Sequence, residues 1–510
     1  MNKNPVDIHC HYFNGKFAFR ELLEIGWRRL NNNYPYNRDE KEIILTRTSR
    51  SSTVGTLVEY VASLFLTLVR NASENYAYEQ ICFEKSKADN SQSLITSPLM
   101  MDIYFVADNG NFLDKKEFTG KSLKKDSRRA ITPLDVAPED RKRFELFAEG
   151  LSKQVVNVVR EKKSLNVVRG KRSISKMQPE GIDAGLEDVE LALADVITEF
   201  RSSAVEEGSA DEGKNSLQVT RGFPKQLKKA DEEKGLIQLT RGFRKQLKKI
   251  QELKRKYPET VFPFFAVDPR RAGVAQLLEE NLQDGTFSGV KLYPPLGYFP
   301  THPDLYPIYD LCLQYNVPVT AHCSPGGFHT FCSTVKTKSR DRNGNEETIE
   351  VRVAKGYDLS ACAESQCHYF ADPDNWLEIL ENEKYKNLRI NLAHFGGEEQ
   401  FLKYVDGQAE KENWTAKIIN LIERFDNLST DISYYTSPGL IPKIEQLLSD
   451  HNILEERMMF GTDFVMILQD YPLTGEQDKA FVDYFNHFGG LSERLFSSNA
   501  LRFLGKIELE

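Results

Sequence analysis

The sequence of 510 residues lacks the features that place a protein outside the cell or in a membrane. Its seven cysteines are an odd number spread along the chain, unlike the paired framework of a small secreted domain. The longest apolar stretch, Val61–Val69, is too short to span a bilayer, and strand-like sequence follows Met1 directly where a secretory signal would lie. We therefore expect a cytoplasmic protein without a membrane partner.

An excess of positive charge is also missing. Lys and Arg number 67 against 75 Asp and Glu, which gives a net charge of -8. Nucleic-acid binding requires clustered basic surface to neutralise phosphates, so nucleic acid is not an expected partner. We expect a small-molecule substrate instead, and the sequence leaves a homo-oligomer open.

Short apolar runs recur along the chain and indicate buried parallel strands, because such strands are continuously hydrophobic rather than alternating. The eight predicted strands are Val6–Ile8, Leu99–Ala107, Val261–Val267, Gly289–Tyr293, Val317–Ala321, Leu388–Ala393, Leu428–Ser433 and Met458–Phe460. Helical patterns lie between most of them. We therefore predict an α/β protein with a (β/α)8 TIM barrel.

A barrel of this type needs about 250 residues, so much of the chain must be insertion. A large charged insertion separates strands 2 and 3, and a smaller one, about 328–368, follows strand 5 and contains the hairpin signal Asn343-Gly344. We predict strands 1–2 in residues 1–108, the charged and partly flexible insertion in 109–240, and strands 3–8 in 241–510. The hairpin is expected to form a lid or pocket wall.

An internal repeat lies at the end of the large insertion. Thr220–Lys229 recurs as Thr240–Lys249 with a single change. In the second copy, apolar residues from Phe243 to Leu253 have helical spacing, which predicts the second helix of the barrel. The first copy is interpreted as a tandem duplication tolerated in a loop. The alternative is a basic amphipathic helix for an anionic partner.

Two histidines one residue apart, His9 and His11, lie on the first strand. Alternate side chains of a strand point to the same face, and neutral imidazole is the commonest metal ligand. Asp7 lies two residues before His9 and either orients a ligand histidine or points outward. Groups suited to metal binding or proton transfer also end four later strands: Lys291 and Tyr293 on strand 4, His322 on strand 5, His394 on strand 6 and Asp463 after strand 8.

These groups should converge, because the carboxyl ends of barrel strands open on one face. His9, His11, His322 and Asp463 offer three nitrogens and one oxygen, which suits Zn²⁺ with an open position for water. Bound zinc lowers the pKa of that water to about 7. His394 is then available as a general acid or base, or to polarise a substrate carbonyl.

The order His-x-His, Lys, His, His, Asp resembles the amidohydrolase superfamily, as do Ala-His-Phe-Gly-Gly at 393–397 and Phe-Gly-Thr-Asp at 460–463. More narrowly it resembles the amidohydrolase-related branch that includes aminocarboxymuconate-semialdehyde decarboxylase. The resemblance covers about residues 1–15, 95–108 and 255–510. It implies that Asp463 accepts the proton of the water while near or on the metal.

The resemblance implies a metal-dependent hydrolase in which metal-activated water attacks a carbonyl, breaking a C–N or C–O bond of a small carboxylate-bearing substrate. A non-oxidative decarboxylase on the same site is the alternative, because both reactions use the same residues. A non-catalytic barrel whose insertion binds a partner is a further alternative. The complete set of candidate ligands argues against the latter.

The resemblance leaves two alternative forms of the metal site, which differ in the role of Lys291. Lys291 either contacts an anionic group of the substrate, together with Tyr293, beside one divalent metal, or is carboxylated and bridges two metals. The single-metal form is favoured, because an unmodified lysine is a ready partner for a carboxylate. His302 lies in loop-like sequence and is expected in solvent.

Overall fold

The computed structural model describes residues 4–12, 94–102, 241–327, 330, 334–352, 370–437, 439–464, 466–467, 484, 487–488 and 491–507. The whole of the 109–240 insertion, including the first copy of the repeat, lies outside these ranges. The chain divides into one unit of residues 1–113, 240–270 and 274–510 and a second unit of residues 114–239 and 271–273. All secondary structure described below belongs to the first unit. The three-segment division drawn from the sequence stays a prediction.

Six parallel strands form the main sheet, in the order β10-β9-β8-β5-β4-β3, and β1 pairs in parallel with β2. The strands are β1 (Val6–Cys10), β2 (Ile95–Pro98), β3 (Phe264–Val267), β4 (Gly289–Leu292), β5 (Val319–His322), β6 (Thr334–Arg340), β7 (Glu346–Arg352), β8 (Ile390–Ala393), β9 (Leu428–Asp431) and β10 (Met458–Met459). Every residue of β3, β4, β5 and β8 is buried, as continuous apolar runs predict. The predicted parallel sheet is confirmed.

Backbone hydrogen bonds join the β1–β2 pair to both edges of the main sheet. Beyond β10, the Asp463 amide donates to the carbonyl of His9 at 2.7 Å. Beyond β2, the Met100 amide donates to the carbonyl of Phe264 at 3.1 Å. Eight parallel strands therefore follow one another in chain order, which is the strand order of a (β/α)8 barrel.

Helices lie between successive strands of the main sheet and between β2 and β3. They are α1 (Arg241–Lys256), α2 (Val274–Gln283), α3 (Tyr306–Gln314), α4 (Leu377–Leu380), α5 (Glu398–Val405), α6 (Trp414–Arg424), α7 (Leu440–Asp450) and α8 (Leu454–Arg457). A last helix, α9 (Asn499–Phe503), follows β10. In the described part of the chain, no helix is long and apolar enough to cross a membrane.

The second copy of the repeat is the beginning of α1, as predicted. This helix buries its apolar stripe, which includes Phe243 and Leu253. The side-chain amide of Gln246 accepts from the backbone amide of Met101 at 2.9 Å and donates to the Met101 carbonyl at 3.1 Å. The helix is thereby fixed to the segment that follows β2.

The predicted hairpin after strand 5 is present as the antiparallel pair β6–β7. Gly344 in its turn has φ of 83°, a left-handed conformation that glycine adopts without steric cost. Val335 and Val351 pack with Phe370 in a small apolar cluster under the hairpin. Its role as a lid or wall stays a prediction.

The position of β2 differs from the sequence prediction. The strand covers Ile95–Pro98, whereas the prediction was Leu99–Ala107. Leu99 continues it only through an isolated bridge to Phe264, and residues 103–107 lie outside the described ranges. Its residues Ile-Thr-Ser-Pro do not form an apolar run, so the hydrophobic pattern pointed to the segment after the strand.

Candidate metal centre

His9, His11 and Asp463 meet where β1 lies beside the segment after β10. Nε2 of His11 lies 3.1 Å from Oδ1 of Asp463, and Nε2 of His9 lies 3.6 Å from the same oxygen. Nδ1 of each ring faces away, and that of His11 donates to the carbonyl of Leu99 at 3.0 Å. Both Nε2 atoms therefore face one carboxylate, as the alternation along β1 predicted.

The donor atoms fit a metal ion. Nε2 of His9 is buried and has no hydrogen-bond partner among the described residues, which is costly for a polar atom unless a ligand satisfies it. Burial, together with the nearby Lys291, lowers the pKa of His9 to about 3, so its imidazole is neutral and its lone pair is available. Ligand atoms of His9, His11 and Asp463 lie within 4.8 Å of one another.

Gly461 permits β1 to approach the segment after β10. A Cβ at this position would lie 2.6 Å from Cβ of His9, closer than real side chains come. Two residues later, Asp463 has φ of 53°, a left-handed conformation that costs free energy in a non-glycine residue. His394 and Tyr434 also have positive φ values of 68° and 61°. Strained backbone thus follows three adjacent strands, and two of these positions, His394 and Asp463, carry predicted site residues.

Asp7 supports this approach through the backbone. Its Oδ1 accepts from the amides of Thr462 at 3.0 Å and His9 at 3.2 Å, and its Oδ2 accepts from the Thr462 hydroxyl at 2.6 Å. The carboxyl group is fully buried, and burial raises its pKa to about 7 although these hydrogen bonds oppose the shift. Asp7 therefore holds the main chain of His9 and of the residue before Asp463, and its carboxyl does not contact the imidazole.

Asp431, at the end of β9, is a site residue that the sequence prediction missed. Its carboxylate accepts from Nδ1 of His9 at 3.2 Å, from the Asn391 side-chain amide at 2.7 Å and from the Ser433 hydroxyl at 2.5 Å. Burial alone would raise its pKa, but the contacts with His9, His394 and Ser433 hold the pKa well below its usual range. A signal was present, since Asp431 is a carboxylate at the end of a predicted strand.

His394 and His322 form a second pair of imidazoles. Nε2 of His394 lies 3.1 Å from Nδ1 of His322, and Nδ1 of His394 lies 2.8 Å from the Ser433 hydroxyl. Burial lowers the pKa of both histidines, so both are neutral near pH 7. The rings of His9 and His394 are adjacent, with centroids 4.6 Å apart.

His322 is not brought together with the other three predicted ligands. Its Nε2 donates to the carbonyl of Gly326 at 2.9 Å, and its Nδ1 faces His394. Among the described residues, the ligand clusters contain His9, His11 and Asp463, or His9, His394 and Asp431. The assignment of His322 as a ligand stays a prediction.

Lys291 brings a buried ammonium to the site. Its Nζ has no hydrogen-bond partner among the described residues, although Lys291 is only 2% exposed. Burial lowers its pKa to about 8, while the charges of Asp431 and Asp463 oppose the shift. Nζ lies 5.9 Å from the ring of Tyr293, which stacks on His322 with centroids 4.5 Å apart. The predicted substrate-binding pair is therefore next to the histidines.

Among solved structures, the chain is similar to 5-carboxyvanillate decarboxylase from Novosphingobium aromaticivorans, crystallised with manganese and a nitrobenzoic acid. The identity is 15%, the match covers 50% of this chain and 67% of that one, and the TM-score is 0.31. It is also similar to a probable 2-pyrone-4,6-dicarboxylic acid hydrolase from Acinetobacter baumannii, with 12% identity, 51% and 78% coverage and a TM-score of 0.30. No curated protein matches the chain in sequence.

The family described as Amidohydrolase matches residues 231–506, which is more than half of the chain. This range contains Lys291, His322, His394 and Asp463. The chain belongs to the amidohydrolase family.

Proposed function

We propose that this protein is a metal-dependent hydrolase on a (β/α)8 barrel, acting on a C–N or C–O bond of a small carboxylate-bearing substrate. The observation that carries the proposal is the convergence of His9 and His11 on Asp463. Two imidazole nitrogens and a carboxylate oxygen face one point at the carboxyl ends of the strands. That face holds the active site in characterised barrel enzymes.

His9, His11 and Asp463 would hold one divalent metal, with His322 as the remaining predicted ligand. Nitrogen ligands with one carboxylate suit Zn²⁺. When bound, such a metal polarises a carbonyl and makes water acidic enough to react at neutral pH. Asp463 remains ionised, since its contacts with His11 and His9 hold its pKa below the usual value despite burial. Asp463 would therefore be able both to hold the metal and to accept a proton from water.

His394 would move a second proton. Its Nδ1 faces Ser433 and its Nε2 faces Nδ1 of His322, so Nε2 would exchange the contact with His322 for one with a reacting group. Because the ring is neutral and buried, it can accept or return a proton without first losing one to solvent.

Lys291 would bind the carboxylate of the substrate. A buried ammonium without an anionic hydrogen-bond partner is costly, and a substrate carboxylate would provide that partner. Tyr293, whose ring lies 5.9 Å from Nζ of Lys291, would contact the same group. Carboxylation of Lys291 would instead produce a centre of two metals.

Metal content tests the proposal. We expect one zinc per chain in the wild type, and loss of metal in His9→Ala and Asp463→Asn. His302→Ala is a matched control: this imidazole is also buried, but it is absent from the ligand clusters. Full occupancy in both site variants would contradict the proposed site. Two zinc ions per chain would indicate carboxylated Lys291.

The products then separate the two reactions. Incorporation of solvent ¹⁸O into the product indicates hydrolysis, whereas released CO₂ without ¹⁸O in the product indicates a decarboxylase. A panel of small carboxylate-bearing amides, esters and lactones, together with aromatic carboxylic acids, covers both classes. Turnover of the acids alone would replace hydrolase with lyase as the function.

A further inference from the structure

We propose that Asp431 is a positioning residue that keeps His9 in the tautomer able to bind a metal. The proposal rests on the metal-dependent function above and extends it to a residue outside the predicted ligands. It starts from the 3.2 Å contact between Nδ1 of His9 and Oδ2 of Asp431.

The carboxylate decides where the proton of His9 lies. An ionised carboxylate can only accept a hydrogen bond, so Nδ1 of His9 must carry the proton in this contact. The lone pair is then on Nε2, which faces Asp463 and has no other partner among the described residues. The Ser433 hydroxyl oxygen lies 3.1 Å from Nδ1 of His9, and it too can only accept there, because its hydrogen is directed to Asp431 at 2.5 Å.

The surroundings of Asp431 fix the orientation of this carboxylate. Oδ1 accepts from the amide of Ser433 at 3.2 Å, from the Ser433 hydroxyl and from the amide of His394 at 3.1 Å. Oδ2 accepts from the side chain of Asn391. Donors on both oxygens prevent the group from turning away from His9.

An Asp431→Asn substitution should reverse the tautomer without removing the packing. The new amide oxygen would take the Oδ1 position, since three donors point there, and the new NH₂ group would take the Oδ2 position. That group would donate to Nδ1 of His9 and move the imidazole proton to Nε2, where it blocks metal binding. Within the described ranges, Oδ1 of Asn391 has no hydrogen-bond partner, so rotation of that side-chain amide provides an acceptor for the new NH₂ group.

The tautomer is measured directly by ¹⁵N NMR of metal-free protein with labelled histidine rings, with His9→Ala used to assign the resonance. We expect protonated Nδ1 in the wild type and protonated Nε2 in Asp431→Asn. Asp372→Asn is the matched control, because Asp372 is a buried carboxylate that forms an ion pair with Lys417. A merely structural role for Asp431 would lower stability but leave the tautomer unchanged.

Zinc affinity, measured by competition with a chelator, provides the second readout. We expect Asp431→Asn to weaken binding by about 10- to 100-fold, the range for loss of a group that orients a ligand histidine. Asp372→Asn should bind as tightly as the wild type. Unchanged affinity in Asp431→Asn, or protonated Nε2 in the wild type, would overturn the proposal. The wild-type measurement holds even if the variant fails to fold. A wild type with protonated Nδ1 that takes up no zinc would instead contradict the proposed function.

Discussion

Replacement of Gly461 by alanine tests the close approach on which the site depends. The added Cβ would lie 2.6 Å from Cβ of His9, whereas non-bonded carbons prefer about 3.5–4.0 Å. The backbone of β1 and the segment after β10 must therefore separate by about 1 Å. They are held on both sides of Gly461, by the hydrogen bonds from Ile8 to Phe460 and from Asp463 to His9.

The strain has no inexpensive release, because the crowded atom is a Cβ fixed to the backbone of β1. Overpacking of this kind costs about 1–3 kcal/mol, which for a unit of this size corresponds to a decrease in Tm of about 1–4 °C. Displacement of His9 by even part of 1 Å exceeds the tolerance of metal–ligand distances, about 0.2 Å. We therefore expect zinc binding at least tenfold weaker, by chelator competition, together with a lower Tm by calorimetry.

Gly407→Ala provides the control. Gly407 has φ of 69° but no atom near its would-be Cβ, so alanine there introduces backbone strain without a clash. It should cost about 1–2 kcal/mol and leave the zinc affinity unchanged. A Gly461→Ala protein with the Tm and zinc affinity of the wild type would refute the reasoning, since it would show that β1 can move away freely.

Three further predictions concern other parts of the molecule. Lys291→Met should raise the free energy of unfolding by about 1–3 kcal/mol below pH 8, because it removes a buried charge. The same change should raise KM, because the substrate carboxylate loses its cationic partner. The gain in stability should fade between pH 8 and 10.5, since the wild-type lysine then becomes neutral in the unfolded chain as well; a gain constant with pH would contradict it. Deletion of residues 216–235 should leave Tm and zinc content unchanged, because the second repeat copy forms α1, and a clear loss of either would count against a tolerated duplication. Chelation of the metal should lower the Tm of the wild type and of His302→Ala but not that of His11→Ala. A metal present at about 100 times its Kd stabilises the folded protein by about 2.7 kcal/mol, and chelation removes that stabilisation. Equal Tm shifts in all three proteins would show that the metal binds elsewhere.

The sequence predicted those parts of the site that follow from the alternation of side chains along a strand and from the common direction of parallel strands. Alternation along β1 placed His9 and His11 on one face, and the common direction of parallel strands placed Lys291, His394 and Asp463 at the same end. These inferences need only local geometry and a topology rule. Continuous apolar runs located β3, β4, β5 and β8, because strands that are buried on both faces consist of hydrophobic residues throughout.

The parts that were missed depend on which atoms meet across strands. The contact of Asp431 with His9 joins residues more than 400 positions apart, and nothing local distinguishes Asp431 from other acids at strand ends. His302 was expected in solvent but is only 1% exposed. Its Nδ1 accepts from the amide of Asp304 and caps the short helical turn that begins at Pro303. The pattern showed loop-like sequence and not the cap.

The charges at the site lead to a last prediction about the ligand. Asp431 and Asp463 are ionised, Lys291 is the cation that acts on both, and burial keeps His9 and His394 neutral. These groups carry a net charge of about -1, which becomes about +1 with one divalent metal, and a buried charge of this kind requires a partner. A monoanionic substrate would neutralise it. Among matched inhibitors, a monocarboxylate should therefore bind the zinc-loaded protein more tightly than its neutral amide, and Lys291→Met should remove most of that preference. Equal inhibition by acid and amide in the wild type would contradict the charge argument while leaving the metal site itself intact.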